Sequence, residues 1–153
     1  MSGKLHDQLK NWLLEVGEHS VDRKGKLYYT RTYSGDSEPL DIRKGKKHVE
    51  YRPDVIFERG KSRFIIEIAQ NDPWLAWVGE VFMAKLATGF WGVCLVLFDE
   101  GRELVRNRLG LVEIVLEFKP NYLYYVVLEG EEATNIDLAK KTLRLYLEKK
   151  GWL

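Results

Sequence analysis

The sequence predicts an α/β fold, and three observations carry that reading. Residues 4–16 and 73–88 repeat apolar side chains at helical spacing. Leu27–Tyr33, Tyr51–Phe57 and Phe64–Ala69 are rich in β-branched and aromatic residues, as strands are. Residues 91–98 are apolar throughout, as a strand buried on both faces requires.

Taken in order, Leu5, Leu9, Trp12, Leu13 and Val16 share one face of the first helix, which Gly17 closes. Leu27–Tyr33 alternates and ends in the turn residues Ser34–Pro39. Arg43–Val49 reads as a charged loop. Tyr51–Phe57 and Phe64–Ala69 form a hairpin about Gly60-Lys61. Asp72 and Pro73 start the second helix as N-cap and first residue, and Trp74 and Trp77 pack it onto the sheet. After the 91–98 strand, Glu103–Arg108 reads as a short helix. Leu111–Phe118 and Tyr122–Leu128 read as strands around Lys119-Pro120-Asn121, and Asn135 caps a last helix. The strands expected over 111–128 would extend the sheet or offer a homodimer face.

At 153 residues with 45% apolar composition, the chain is expected to be one domain, 1–153, with a real core. A net charge of +1 announces no nucleic-acid binder by itself. Charge is uneven, however: Arg23, Lys24, Lys26, Arg31, Arg43, Lys44, Lys46 and Lys47 outnumber Asp22, Asp36, Glu38 and Asp41 in one segment. That segment runs into the strand bearing Arg52 and Asp54, as a solvated loop or as an arm that tracks phosphates. The tyrosines at 28, 29, 33 and 51 invite base stacking. One cysteine, Cys94, excludes an intramolecular disulfide and reads as a small core residue. With no signal peptide and no long apolar stretch, a cytoplasmic location and no membrane association are expected.

The hairpin carries the chemistry. A turn at Gly60-Lys61 sets Val55 opposite Ile66 and Phe57 opposite Phe64, making one face wholly apolar. The same register puts Asp54 directly across from Glu67. Opposed Cα atoms lie only about 4.5–5.5 Å apart, and like charges so placed repel. Such a pair needs a proton or a cation between its members. Mg²⁺ or Mn²⁺ suits it, because Mg²⁺ typically takes one or two carboxylates and keeps several waters. The Ile68 carbonyl would add a third oxygen. The competing reading pairs Asp54 with Arg52 or Arg63.

Pro53-Asp54 followed by Glu67-Ile68-Ala69 resembles the PD-(D/E)xK signature of restriction-endonuclease-like nucleases. The element order over residues 4–99 is similar to their αβββαβ core, with residues 100–153 as an extension. The resemblance implies a mixed central sheet flanked by helices and metal-dependent hydrolysis of DNA by Asp54 and Glu67. It departs at Ala69, where the family carries the lysine that orients water. Relatives resembling competence-protein CoiA carry glutamine there, which draws attention to Gln70 if Ala69 bulges. Some members relocate a catalytic side chain to the following helix, which holds Lys85 and, as a weaker option, Glu80. Nucleases resembling archaeal Holliday-junction resolvases place an acid on the first helix where this chain has His6. Arg43, Lys44, Lys46, Lys47 and Arg52 are the expected DNA contacts. The alternative is a nuclease-fold module that has lost hydrolysis and binds nucleic acid or a protein.

Overall fold

The computed structural model describes residues 3–70, 72–88, 92–98, 102–115, 117 and 123–153, with backbone alone at 88 and 102–104. Helix α1 (Lys4–Val16) leads into strands β1 (His19–Arg23) and β2 (Lys26–Tyr33). A separate hairpin of β3 (Leu40–Lys44) and β4 (Lys47–Tyr51) precedes β5 (Val55–Arg59) and β6 (Ser62–Ala69). Then come α2 (Trp74–Thr88), β7 (Val93–Phe98), α3 (Arg102–Val115), β8 (Leu123–Leu128), a 3₁₀ turn at Gly130–Ala133 and α4 (Ile136–Lys149). The main sheet runs β1-β2-β5-β6-β7-β8, antiparallel up to β6 and parallel from β6 to β8. The fold is α/β with a mixed central sheet and helices on both faces.

The β5–β6 register is the expected one, with Val55 opposite Ile66, Phe57 opposite Phe64 and Arg59 opposite Ser62. Gly60, at φ 61°, supplies the left-handed residue of the turn. Val55, Phe57, Phe64, Ile66 and Ile68 pack one face of the sheet against Leu9 and Leu13 of α1 and Ala139, Leu143 and Leu147 of α4. The other face sets Ile56, Ile65, Ala69 and Leu95 against Trp77, Val81 and Ala84 of α2 and Leu109 and Val112 of α3. Trp77 is 1% exposed and meets Trp74 edge to face at 6.1 Å, so both rings serve packing. Every residue of β7 is buried, Cys94 included.

Gly17 closes α1 for a spatial reason, since its φ of −68° is open to any residue. A Cβ there would lie 2.4 Å from Phe57 Cε1 and 2.5 Å from Thr32 Oγ1. The glycine lets the helix end sit against the sheet. At the other helix, Asn135 Oδ1 accepts from the N–H groups of Asp137 and Leu138, the expected cap.

Four sequence expectations are corrected. The stretch 43–49 is not a loop: its ends belong to β3 and β4, joined at Gly45-Lys46. Pairing Ile42 with Val49 and Leu40 with Tyr51 gives the hairpin its apolar contacts, which the intervening charges disguise. Tyr51 accordingly ends β4, and the motif strand begins only at Val55. Residues 111–115 are helical, not a strand, and the short helix expected over 103–108 is the start of α3. A crossover between parallel strands needs a dozen or more residues, usually helical, and β7 and β8 are parallel. Strand β1 has no counterpart among the expected elements. The turn expected at 119–121 and Trp91 lie outside the described residues. Among the described residues, no helix is long and apolar enough to cross a membrane.

Candidate functional site

Asp54 occupies the bend before β5, and the main chain there is fixed by Gly35, whose N–H donates to the Pro53 carbonyl at 2.9 Å. Two side-chain bonds carry the β5–β6 ladder past its last main-chain pair. The Asp54 N–H donates to Glu67 Oε1 at 2.7 Å, and the Ile68 N–H donates to Asp54 Oδ2 at 2.8 Å. The two carboxylates are therefore cross-braced as well as opposed. A strand residue sends its N–H and C=O to the same edge, so the Ile68 carbonyl also faces the Asp54 side.

His6, one turn into α1, is 7% exposed and places Nε2 3.1 Å from Asp54 Oδ1. Its Nδ1 lies 3.0 Å from Asp7 Oδ1. The hydrogen bond to Asp54 raises the His6 pKa above its ordinary value, although burial works against the charge. Lys10, one turn further, is held by Asp36 at 2.7 Å.

Glu67 is 4% exposed, and burial, then the charges of Glu80 and Asp54, push its pKa well above the usual carboxylate range. Glu80 reaches the same region from α2. Burial first, then Asp54 and Asp72, raise it to about 7. Its Oε2 is enclosed and without a hydrogen-bond partner among the described residues. Tyr51, buried at the end of β4, donates its hydroxyl to the Glu80 main-chain carbonyl at 3.4 Å and helps to offset the upward shift of Glu67. Burial, then Glu67, raises the Tyr51 hydroxyl pKa above its usual value. Sequence reasoning offers Tyr51 for base stacking alone and ranks Glu80 low. The available signal is position: Glu80 lies three residues from Trp77 and next to Val81, the buried residues of α2.

The other candidates distribute differently. Arg52 pairs with Glu50 at 3.0 Å and Arg63 with Glu58 at 3.2 Å, so neither arginine neutralises Asp54. Gln70 lies beyond an unbroken β6, and its Oε1 accepts the His6 N–H at 2.9 Å. It thereby caps the start of α1, and β6 carries no bulge at Ala69 that would turn Gln70 to the face of Glu67. Ala69 is 3% exposed within the cluster under α2. Lys85 lies half-buried in the last turn of α2, five residues and hence about 140° around the helix from Glu80.

Lys44, Lys46 and Lys47 crowd the exposed tip of the β3–β4 hairpin. The tip stands roughly 15 Å from Tyr51 at about 3.3 Å per residue. Arg43 is ion-paired with Asp41 and Arg52 with Glu50, so these two are partly neutralised.

Among the described residues, no three His, Cys, Asp or Glu side chains converge as a ready metal cage. Asp54, Glu67 and the Ile68 carbonyl are the oxygens that would hold Mg²⁺ or Mn²⁺, which ask for one or two carboxylates with water completing the shell. The unpartnered oxygen of Glu80, and the charge that Glu80 puts on Glu67 and Asp54 on Glu80, are what a nearby cation would relieve. No protein-family model, curated protein or solved structure matches the chain.

Proposed function

We propose that the chain is a divalent-metal-dependent endonuclease acting on DNA, with a restriction-endonuclease-like core. The observation that carries this reading is the braced pair Asp54 and Glu67, with His6 against Asp54 and the charge of Glu80 coupled to both acids. The succession α1, β2, β5, β6, α2, β7 supports the αβββαβ core, with β1 and the β3–β4 hairpin as insertions. Mg²⁺ or Mn²⁺, bound by Asp54, Glu67 and the Ile68 carbonyl, would supply charge that polarises a phosphate and lowers the pKa of water.

The chain's own residues would do the rest. His6 holds Asp54 in place through Nε2. Glu80, titrating at about 7, is the group best matched to accept a proton at neutral pH. It takes the place left vacant by the family lysine, which neither Ala69 nor Gln70 can fill. The lysines of the hairpin tip would hold the phosphate backbone on the way to the site.

Calorimetric titration of Mn²⁺ tests the reading. Wild type should bind, and Asp54→Asn and Glu67→Gln should each weaken binding by at least about tenfold, since either change removes a ligand charge. Equal heats from all three proteins would overturn it. A second reading rests on the burial of Ala69 and the capping role of Gln70: a module that binds metal and nucleic acid without cutting. Binding of both Mn²⁺ and DNA, combined with inertness of wild type and Ala69→Lys on linear, branched and single-stranded DNA, would favour that reading instead.

A further inference from the structure

We infer that the β1–β2 hairpin and the end of β5 form a phosphate-binding groove, distinct from the acidic cluster. The hairpin register sets Arg23 directly opposite Lys26, with Tyr28 two residues along the same face. Opposed like charges are destabilising in a sheet, so this pairing calls for a counter-charge. Lys24, at the turn, is held in the left-handed region at φ 53°. Arg59 comes in from β5. Its Nε donates to Thr30 Oγ1 and its Nη1 to the Gly151 carbonyl, each at 2.9 Å.

Arg23 Nη2 donates to that same carbonyl at 2.9 Å, so two guanidinium groups share one neutral acceptor. Arg59 also stacks 4.9 Å over the Trp152 ring, and its Nη2 is enclosed with no partner among the described residues. Burial and the charge of Arg23 both work against the Arg59 cation. The nearest acid along the hairpin, Asp22, accepts the Gly25 N–H at 3.0 Å.

The groove has a volume of about 520 Å³ and is lined by Arg23, Lys24, Lys26, Tyr28 and Arg59, with no carboxylate in its lining. Planar guanidinium groups match the oxygens of a phosphate, and the two ammonium groups add charge without directional demand. The space exceeds what one phosphate fills. The ligand class is therefore a compound with at least two phosphate groups, as a free pyrophosphate-type anion or as successive phosphates of a single nucleic-acid strand. Tyr28 offers a ring beside them. The site stands apart from the metal-binding reading, because β5 separates Arg59 from Asp54 by roughly 17 Å.

The test titrates inorganic pyrophosphate and, separately, a short oligothymidylate into the metal-free protein. Wild type is compared with the double variant Lys24→Asn, Lys26→Gln. Both lysines are exposed, and asparagine tolerates the left-handed conformation at position 24. Arg23→Gln is the second variant, with thermal melting as the folding control. Each variant should bind at least about tenfold more weakly, with a shallower salt dependence. Loss of both ligands places either phosphate source in the groove. Loss of the strand alone assigns it to nucleic acid, and loss of pyrophosphate alone to a free phosphate compound. Unchanged affinity for both in folded variants, or no binding of either by wild type, would overturn the inference.

Discussion

Glu80 is the acid for which the fold provides least. It is half-buried, feels the charges of Asp54 and Asp72, and leaves Oε2 without a partner among the described residues. Its pKa rises from 4.5 to about 7 on folding, so the native state holds a proton that the unfolded chain has released. That contribution to stability is complete below pH 4.5 and is lost as pH climbs through about 7. His6, also raised, acts in the same direction above its ordinary 6.5. The metal-free protein should therefore lose about 2 kcal/mol between pH 5 and pH 8, or roughly 4–8 °C in Tm. Glu80→Gln should flatten that slope in thermal melts, and Mg²⁺ should raise Tm at pH 8 in wild type. A slope identical in the variant would show that Glu80 is not the group responsible. Gln70→Ala should behave otherwise, costing about 1 kcal/mol of stability through the lost cap while leaving Mn²⁺ binding unchanged. Asp54 and Glu67 are legible in the sequence because a tight turn and an alternating apolar face fix the register between them. Glu80 is legible only as a weaker option, because a lone carboxylate on a largely apolar helix does not show which element it meets.

Among the elements, the β3–β4 hairpin is the one that charge conceals. Its tip lysines repel one another across the turn, yet Ile42–Val49 and Leu40–Tyr51 hold the strands together, with Leu40 and Tyr51 anchored in the core. The sequence pattern over 111–115 misleads in the opposite sense: valine and isoleucine suggest a strand, whereas Val105, Leu109 and Val112 keep helical spacing and face the core. Local propensity yields to the need for a crossover between parallel strands. If the hairpin is a nucleic-acid arm, replacing Lys44, Lys46 and Lys47 with alanine should reduce the salt slope of DNA binding by about 0.9 for each phosphate the arm no longer touches. An unchanged slope would assign the tip to solvent. The junction of α1 with the sheet offers a test of packing. Gly17→Ala would drive a methyl into Phe57 and Thr32, and should cost about 1–3 kcal/mol in denaturant unfolding.

At the scale of the molecule, a net charge of +1 conceals a polarity along β5. Asp54 and Glu67 stand at its start, with the charge of Glu80 coupled to both, while Arg23, Lys24, Lys26 and Arg59 gather at its end. Interleaved helices and strands make the α/β class readable from the sequence. This polarity is not, because it depends on which strand ends the sheet brings together. Its consequence is a torque. In the field of a polyanion these charges favour approach by the β1–β2 end of β5 and oppose approach by the metal-free acids. Deprotonation of Glu80 above about pH 7 deepens the negative pole, and a divalent cation seated at Asp54 and Glu67 cancels much of it. Encounter rates with a DNA strand, followed by stopped flow, should therefore rise on adding Mg²⁺ at pH 8 and hardly change at pH 5.5. That difference should shrink at high ionic strength, where exposed charges no longer reach beyond about 3 Å.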